Sequence, residues 1–432
     1  MKKELLIPTL AICFISLASC SSFVPNVVSK SEEKAFSSSS FSNDSLAGFD
    51  NESFNVKIWV DEKIVDLTRK QVQDFSSLYN NVSINATIEP LSEGTAAASM
   101  LQDVQSGADI FCFYQDQLNQ LKIAGAVAKL SDNYVSFIKS NNSEDSAKAA
   151  TIGSSVYAYP ITNDGGCFLY YDKTIISDED AKDMTKILAK CRAAGKTLNF
   201  EARSNGFYGA SYFLATGCRS TWTIDDNTGK FIAYNDTFGG NSGLIALKGI
   251  RELADRSVVA ANSQASKLGN TSAAVVSGVW EYEIAVKRLG DNLGCTEMPS
   301  FTVDEQSYHL SSFGGYKLLG VKPQIDEKKE KICHLLAQYL TNESCQTERF
   351  EQASWGPTNR ISSQKEEVLN HPALAALRKQ RSYACLQEQC PEEWYVTLST
   401  ACKSVNTETS DDELRQILNT YIDSLPGLLS DQ

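Results

Sequence analysis

The chain has 432 residues and is 42% hydrophobic and 22% charged, which is the composition of an ordinary folded protein. Its formal net charge is -13, and no cluster of basic residues offsets it. A nucleic acid partner is therefore excluded, because such a partner needs a positively charged surface. A chain of this length is expected to form more than one hydrophobic core, so we predict two lobes.

The N-terminus has a short basic start, an apolar stretch and a cysteine. Two lysines precede the apolar run at 5–17, and the letters LASC end at Cys20. The run is too short to span a bilayer, which needs about 20 apolar residues. The pattern resembles a bacterial lipoprotein signal peptide at 1–19, which implies cleavage before Cys20 and lipidation of its thiol. The lipid would anchor the protein to the outer face of the cell membrane.

The segment 20–53 is rich in serine and includes a run of four serines at 37–40. Such a segment buries too little apolar surface to offset the entropy of ordering it, so we predict a flexible linker. The folded part is expected to begin near Phe54.

After the linker, the pattern alternates between strand and helix. Strands are predicted at 56–60, 82–88 and 108–114, and helices at 67–79 and 96–105. This alternation, with nearly continuous apolar strands, is typical of βαβ units in a parallel sheet. The predicted fold class is therefore α/β.

Polar and aromatic side chains follow each of these three strands. Asp61 and Glu62 come after the first strand, Glu89 after the second, and Tyr114 and Asp116 after the third. Ligands of open α/β sheets bind at the carboxyl ends of the strands. We therefore expect these five residues to belong to a ligand-binding site.

Cysteine is unusually frequent, with ten residues after Cys20. No two are spaced as CxxC, and the three histidines lie far apart, so neither a metal site nor another cofactor is expected. An even number of cysteines outside the cell permits disulfides. We expect a minority to be bonded, and Cys385 and Cys390 are the nearest candidates in sequence.

Six segments of the chain occur in an order that is typical of one protein family, and they read VKIWVDE, GADIFCFYQDQLNQLKIAGAVAKL, YAYPITNDGGCFLYYDK, AAVVSGVWEYE, SSFGGYKLLGV and LTNESCQTERFEQASWGPTNR. They resemble the extracellular solute-binding proteins of ABC importers, in particular the maltose- and maltodextrin-binding group. The resemblance extends from about residue 54 to the C-terminus. It implies a two-lobed periplasmic-binding-protein-like fold of type II, in which each lobe is a mixed sheet flanked by helices and a hinge joins the two.

The resemblance also implies how the chain is divided and what it does. The N-terminal lobe would comprise 54–162 and 300–355, and the C-terminal lobe 163–299 and 356–432. A monomeric receptor of this kind captures an oligosaccharide between its lobes and delivers it to the membrane subunits of an ABC permease. No catalysis is expected.

Further site residues follow from the resemblance and from the chemistry of sugars, which have apolar C–H faces and hydroxylated rims. Asp164 lies in a Gly-containing turn that suits a hinge, and it is either a ligand contact or only a turn-former. Phe207 and Tyr208 open a helix beside the expected cleft, and Trp280 is placed to stack on a sugar. Trp355 is either a stacking residue or a staple over a neighbouring helix.

Three other functions deserve comparison with the sugar receptor. Acidic and aromatic residues together would also suit a polyamine. The adjacent Tyr170 and Tyr171 would suit a ferric-ion receptor of similar fold. Asp116 and Asp164 would be the candidate carboxylate pair of a glycoside hydrolase, although carboxylates at a sugar site are equally well explained as hydrogen-bond acceptors.

Overall fold

The computed structural model describes residue 46, residues 48–79 and residues 81–429. The predicted signal peptide, Cys20 and most of the predicted linker lie outside the described residues. Within the described part, every helix is too short or too polar to cross a membrane.

Residues before Phe54 already pack into the first core. Leu46 and Phe49 are buried in the first hydrophobic core, and the first strand starts at Glu52. The rings of Phe49 and Phe54 lie 6.0 Å apart. The predicted linker, which ended at residue 53, therefore extends too far, because these two apolar side chains already pack into the core.

Eleven of the described strands form two large sheets, one of six strands and one of five, and the other six form three two-stranded sheets. In chain order the strands are β1 (Glu52–Val60), β2 (Val82–Pro90), β3 (Ile110–Tyr114), β4 (Thr151–Ile152), β5 (Ser155–Val156), β6 (Ala158–Gly165), β7 (Phe168–Asp172), β8 (Thr197–Asn199), β9 (Ser220–Ile224), β10 (Phe231–Asp236), β11 (Val259–Ala260), β12 (Ser272–Ser277), β13 (Leu293–Thr296), β14 (Ser300–Val303), β15 (Gln306–His309), β16 (Phe313–Val321) and β17 (Cys385–Leu386). The two-stranded sheets are β4-β5, β9-β10 and β14-β15.

Helices cover the faces of both sheets. In chain order they are α1 (Val65–Ser76), α2 (Glu93–Gln102), α3 (Leu118–Ile123), α4 (Asp132–Asn141), α5 (Glu144–Ala149), α6 (Met184–Ala193), α7 (Gly206–Ala215), α8 (Asn241–Arg251), α9 (Tyr282–Leu289), α10 (Glu327–Leu340), α11 (Glu343–Ala353), α12 (Glu366–Asn370), α13 (Pro372–Gln380), α14 (Glu392–Ser404) and α15 (Asp411–Ser424).

The first sheet has the strand order β17-β16-β3-β1-β2, and β6 pairs with β16. β1 runs parallel to both β2 and β3, which confirms the predicted βαβ units. Ile58 and Val60 of β1 are almost fully buried because helices cover the sheet. The second sheet has the order β11-β8-β12-β7-β13, with β7 antiparallel to β12.

The chain crosses between the sheets at two close-packed strands. β6 belongs to the first sheet and β7 to the second, so the crossing follows Gly165. Gly165 lies opposite Gly315 of β16, and a Cβ on Gly165 would lie 2.6 Å from the Gly315 carbonyl oxygen. Gly166 has a φ of +132°, which residues with a side chain rarely adopt. Glycines therefore allow the two crossing strands to touch at the predicted hinge.

The hydrophobic cores show where the lobes divide. The first core takes its residues from 46–161, from 318–340 and from Trp355, whereas Phe301 of β14 packs in the second core. The Phe301 ring lies 4.6 Å from the Tyr212 ring. The packing therefore divides the chain within β16 and not at residue 300, because the hairpin of β14 and β15 folds onto the second lobe.

The segment after α11 stays with the first lobe longer than expected. The hydroxyl of Thr358 donates to Oδ1 of Asn142 at 2.8 Å, and Nε of Arg360 donates to the Asn142 carbonyl at 2.6 Å. The return to the second lobe therefore follows these residues and does not begin at residue 356. The remaining chain is mostly helical.

The ten cysteines of the described chain are free thiols. Seven are buried singly within the lobes, including Cys112 of β3, where each acts as a small apolar side chain. The expected disulfides are therefore absent from the described residues, and Cys385 and Cys390 are both free.

Candidate ligand-binding site

A cavity of about 290 Å³ lies between the two lobes, beside the crossing strands. Five of the predicted site residues line this central cavity, namely Tyr114, Asp116, Phe207, Tyr208 and Trp280. The first two belong to the first lobe and the other three to the second. The fold therefore brings residues from distant parts of the sequence to one place.

The second lobe gives the central cavity an aromatic wall, which consists of Phe207, Tyr208, Trp280 and Phe313. The side-chain oxygen of Asn205 accepts a hydrogen bond from the Phe207 backbone N–H at 3.0 Å and so caps the start of α7. The Phe207 ring lies 5.4 Å from the Tyr208 ring and 5.5 Å from the Phe313 ring. The wall thus presents packed rings to the space between the lobes.

Trp280 is the most exposed residue of the aromatic wall, with 45% of its surface accessible. It stands in the turn after β12, where a Cβ on Gly278 would lie 2.1 Å from the indole, so glycine makes room for the ring. Nζ of Lys63 in the first lobe donates to the Trp280 carbonyl at 3.4 Å. Trp280 is therefore placed where the two lobes meet.

The first lobe gives the same cavity a charged floor, which consists of Lys317, Glu93, Asp164 and Asp116. Nζ of Lys317 lies 3.0 Å from Oε1 of Glu93 and 3.8 Å from the centroid of the Trp355 ring. Burial lowers the pKa of Lys317, but the carboxylates of Asp164 and Glu93 raise it more, so its pKa lies above the ordinary value. Lys317 therefore stays charged at the floor.

Asp116 follows the carboxyl end of β3. Its Oδ2 accepts a hydrogen bond from Nε2 of Gln387 at 3.0 Å, whereas its Oδ1 has no hydrogen-bond partner among the described residues. Burial raises the pKa of Asp116 to about 6, although hydrogen bonds from its own backbone and from Gln387 oppose the rise. A buried oxygen without a partner is costly, and a ligand donor at this point would satisfy it.

Gln387 is a cavity residue that the sequence does not single out. Its backbone N–H donates to the Gly314 carbonyl at 3.0 Å, and its carbonyl accepts from Nε2 of Gln115 at 3.2 Å. These bonds extend the pairing of β17 with the start of β16. No local pattern predicts this position, because β17 has only two residues and pairs with a strand far away in sequence.

Lys317 and Glu93 are also absent from the sequence-based site. Lys317 had a signal, because a lysine interrupts the otherwise apolar end of β16. A charged residue inside a buried strand needs a partner of opposite charge. Glu93 had no such signal, since an acidic residue at the start of a helix is common.

The three predicted residues that follow β1 and β2 do not line the central cavity. Oδ1 of Asp61 accepts a hydrogen bond from the Lys63 backbone N–H at 2.9 Å and caps the turn after β1. Glu62 is exposed, and Oε2 of Glu89 accepts from Nε1 of Trp59 at 2.7 Å. These acids follow the carboxyl ends of β1 and β2, as predicted, but Asp61 and Glu89 use their oxygens for local hydrogen bonds.

Asp164 belongs to the charged floor but, like Trp355, does not itself line the central cavity. Asp164 is buried and accepts a hydrogen bond from the hydroxyl of Thr162. Trp355 is only 6% exposed and packs in the first core under Lys317. Of the two roles left open for Trp355, packing inside the lobe agrees with this burial.

A second cavity, of about 660 Å³, continues from the first along the edge of the hinge. Gln115, Asp116 and Gln387 line both cavities, and Trp222 of β9 lines the second. The space between the lobes therefore extends beyond the aromatic wall.

The tyrosine pair considered for a ferric ion is used inside the second lobe. The hydroxyl of Tyr170 donates to the Gly278 carbonyl at 2.8 Å, and that of Tyr171 donates to Asp178 at 2.6 Å. Across the described residues, no three histidine, cysteine or acidic side chains converge as a metal site would require.

The sequence matches one family model over most of its length. The model is described as that of the bacterial extracellular solute-binding protein, and it matches residues 70–376. The chain belongs to this family. A search of the curated proteins finds no match.

Solved structures show that the two-lobed fold of these solute-binding proteins is the fold of this chain. A maltodextrin-binding protein from L. casei without ligand has a TM-score of 0.73 at 20% identity, covering 86% of this chain and 98% of that one. A cyclo/maltodextrin-binding protein complexed with maltotetraose has a TM-score of 0.67 at 19% identity, covering 86% and 96%. The GacH receptor of Streptomyces glaucescens, solved unliganded and with acarbose, has a TM-score of 0.69 at 16% identity, covering 88% and 99%.

Proposed function

We propose that this solute-binding protein captures a neutral oligosaccharide of the maltodextrin type between its lobes and delivers it to an ABC permease. The observation that carries the proposal is the central cavity, where an aromatic wall on one lobe faces hydrogen-bonding groups on the other. A sugar ring needs both kinds of surface, because its faces are apolar and its rim is hydroxylated.

The two sides of the cavity supply complementary contacts. Trp280 and Phe207 offer flat area for the C–H face of a sugar, while Asp116 offers an acceptor and Lys317 a donor. Each hydroxyl of a sugar both donates and accepts, so it is able to bond with either group. The second cavity leaves room for further sugar units, which supports an oligosaccharide over a monosaccharide.

Closure of the lobes over the ligand is the second part of the proposal. Two polar contacts already join the lobes away from the hinge glycines. Lys63 donates to the Trp280 carbonyl at 3.4 Å, and Nζ of Lys122 lies 3.5 Å from Oδ1 of Asp226. A ligand that touches both lobes binds the closed form more tightly and so shifts the population towards it.

The maltodextrin assignment is supported by the structural neighbours, two of which are maltodextrin-binding proteins. The lipid anchor at Cys20, the position at the outer face of the cell membrane and the permease partner belong to the same proposal. They rest on the signal-peptide pattern and on the membership of an extracellular family.

A polyamine receptor, the main alternative, fits the cavity less well. The ammonium of Lys317 already pairs with Glu93 at 3.0 Å, so this carboxylate is not left to bind a ligand amine. A glycoside hydrolase needs two carboxylates that flank the scissile bond, whereas Asp164 is buried beneath Lys317 and does not line the central cavity.

A thermal-shift screen tests the proposal. The protein is heated alone and with maltose, maltotriose, maltotetraose, spermidine or ferric citrate. A ligand that binds only the folded chain stabilises it by about 2.7 kcal/mol at a hundredfold excess over its dissociation constant. We expect the maltooligosaccharides to raise the melting temperature, whereas stabilisation by spermidine or ferric citrate alone would refute the sugar-receptor function.

A further inference from the structure

We propose that Lys317 is a specificity-determining residue, whose ammonium, neutralised by Glu93 and Asp164, donates a hydrogen bond to a neutral sugar and makes the cavity reject anionic sugars. This inference rests on the proposed function and goes beyond it, because it names the charge class of the ligand and the residues that set it. Neither Lys317 nor Glu93 follows from the sequence pattern of the site.

The position of the ammonium limits which contacts it is able to make. Nζ of Lys317 lies 3.0 Å from Oε1 of Glu93 and 3.8 Å from the centroid of the Trp355 ring. A lysine ammonium has three N–H donors. The Glu93 carboxylate lies on one side of the group, and the aromatic face of Trp355 covers another side. The side chain is 15% exposed and lines the central cavity, so a donor is left for a ligand oxygen.

The second carboxylate, that of Asp164, is placed near Lys317 because β6 pairs with β16. Thr162 of β6 lies opposite Lys317 of β16 in the sheet register. The hydroxyl of Thr162 donates to Asp164, which holds that carboxylate beside the strand position of Lys317. The carboxylates of Glu93 and Asp164 both act on this ammonium, and among the described residues Glu93 is the one within ion-pair distance of it.

This arrangement decides which ligands are favoured. A ligand carboxylate near Lys317 would be attracted by one charge and repelled by those of Glu93 and Asp164, with Asp116 adding a further negative charge on the same cavity. A neutral hydroxyl or ring oxygen accepts the hydrogen bond without that repulsion. The cavity therefore uses a cation to select a neutral ligand.

Removal of one compensating charge tests the inference. Glu93→Gln keeps the size of the side chain and removes one of the negative charges that would repel a ligand carboxylate. The probes are maltotriose and maltotriose oxidised to the carboxylate at C6, titrated calorimetrically into the wild type and the variant. We expect the preference of the wild type for maltotriose to fall by roughly tenfold or more in Glu93→Gln, because the ligand carboxylate loses a repulsive neighbour.

Two further variants complete the design. Asp164→Asn removes the other carboxylate while it keeps an acceptor for Thr162, and it is expected to shift the preference in the same direction. Glu52→Gln removes a carboxylate at the opposite end of β1, where it pairs with Lys328, and it is expected to leave the preference unchanged. Melting temperatures of all variants identify any that do not fold, and either cavity variant alone suffices for the test.

The outcomes separate the two proposals. If the wild type binds maltotriose and folded Glu93→Gln and Asp164→Asn keep the wild-type preference, the role of Lys317 is refuted while the sugar-receptor function stands. A wild type that prefers the oxidised trisaccharide also refutes the inference and leaves a sugar receptor of another charge class. If the wild type binds neither trisaccharide, the maltodextrin-type function fails and the inference fails with it.

Discussion

The two sides of the central cavity are built in different ways. The aromatic wall of the second lobe comes mainly from local features, namely the first turn of α7 and the turn after β12. The charged floor of the first lobe comes from Glu93, Asp116, Asp164 and Lys317, which are far apart in sequence and meet only in the folded lobe. We therefore expect substitutions in the aromatic wall to change ligand affinity without changing stability, and substitutions in the charged floor to change both.

The largest expected effect is the loss of stability in Lys317→Met. This change leaves the buried carboxylate of Glu93 without its partner, and the loss of one member of a buried pair costs about 3–5 kcal/mol. Urea denaturation of the wild type and the variant measures the change in the free energy of unfolding.

A matched control is Lys182→Met, which removes an exposed lysine whose Nζ lies 2.8 Å from Oε2 of Glu179. We expect no measurable loss of stability there, because solvent screens exposed pairs. Equal stabilities of the two lysine variants would show that the floor is not a buried charge cluster.

A smaller effect is expected in the pH dependence of stability at Asp116. Burial raises the pKa of Asp116 to about 6 in the folded chain, whereas an exposed aspartate has a pKa of about 4. Between these two values the folded chain binds the proton more tightly than the unfolded chain. The contribution of Asp116 to the free energy of unfolding therefore falls as the pH rises from about 4 to about 6.

Comparison of the wild type with Asp116→Asn isolates the contribution of Asp116 to the pH dependence of the free energy of unfolding. His334, whose pKa burial lowers to about 4, contributes in the opposite direction but is present in both chains. Denaturation curves recorded between about pH 4 and pH 7 should converge at low pH and separate above it, with the variant the more stable chain. A constant difference between the two chains across this range contradicts the account of Asp116.

The smallest expected effect is at the edge of the cleft, where Lys122 and Asp226 join the lobes. An exposed pair of this kind contributes roughly 0.2–1 kcal/mol. A double-mutant cycle with Lys122→Ala and Asp226→Ala, measured as affinity for maltotriose, should give a coupling of less than about fivefold. The coupling should vanish in about 1 M salt. A coupling that survives high salt would indicate a contact of another kind.

The fold follows from the sequence because its signals are local. The alternation of strand and helix from β1 to β3 predicts parallel pairing, and the glycines at 165 and 166 predict a crossing point. The sequence does not predict the observed lobe boundary and places it at residue 300 instead. No pattern in β14 or β15 shows which of the two cores these strands join. Only the packing of Phe301 against Tyr212 decides it.

The site follows from the sequence only in part, for the same reason. Trp280 and Phe207 stand beside glycines or a helix cap, so their positions were predictable. The role of Trp355 stayed open because a tryptophan before a turn is equally compatible with a cleft and with a core. Gln387 was missed because its role depends on a two-residue strand that pairs with the distant β16.

The most direct test of the account is the affinity of Trp280→Ala for maltotriose, measured by isothermal titration calorimetry beside the wild type and Tyr383→Ala. Trp280 and Tyr383 are equally exposed, at 45%, but only Trp280 lines the central cavity. We expect a loss of roughly tenfold to hundredfold in affinity for Trp280→Ala and none for Tyr383→Ala. Equal affinities of the two variants, or no binding of maltotriose by the wild type, would contradict the assignment of this cavity as the sugar site.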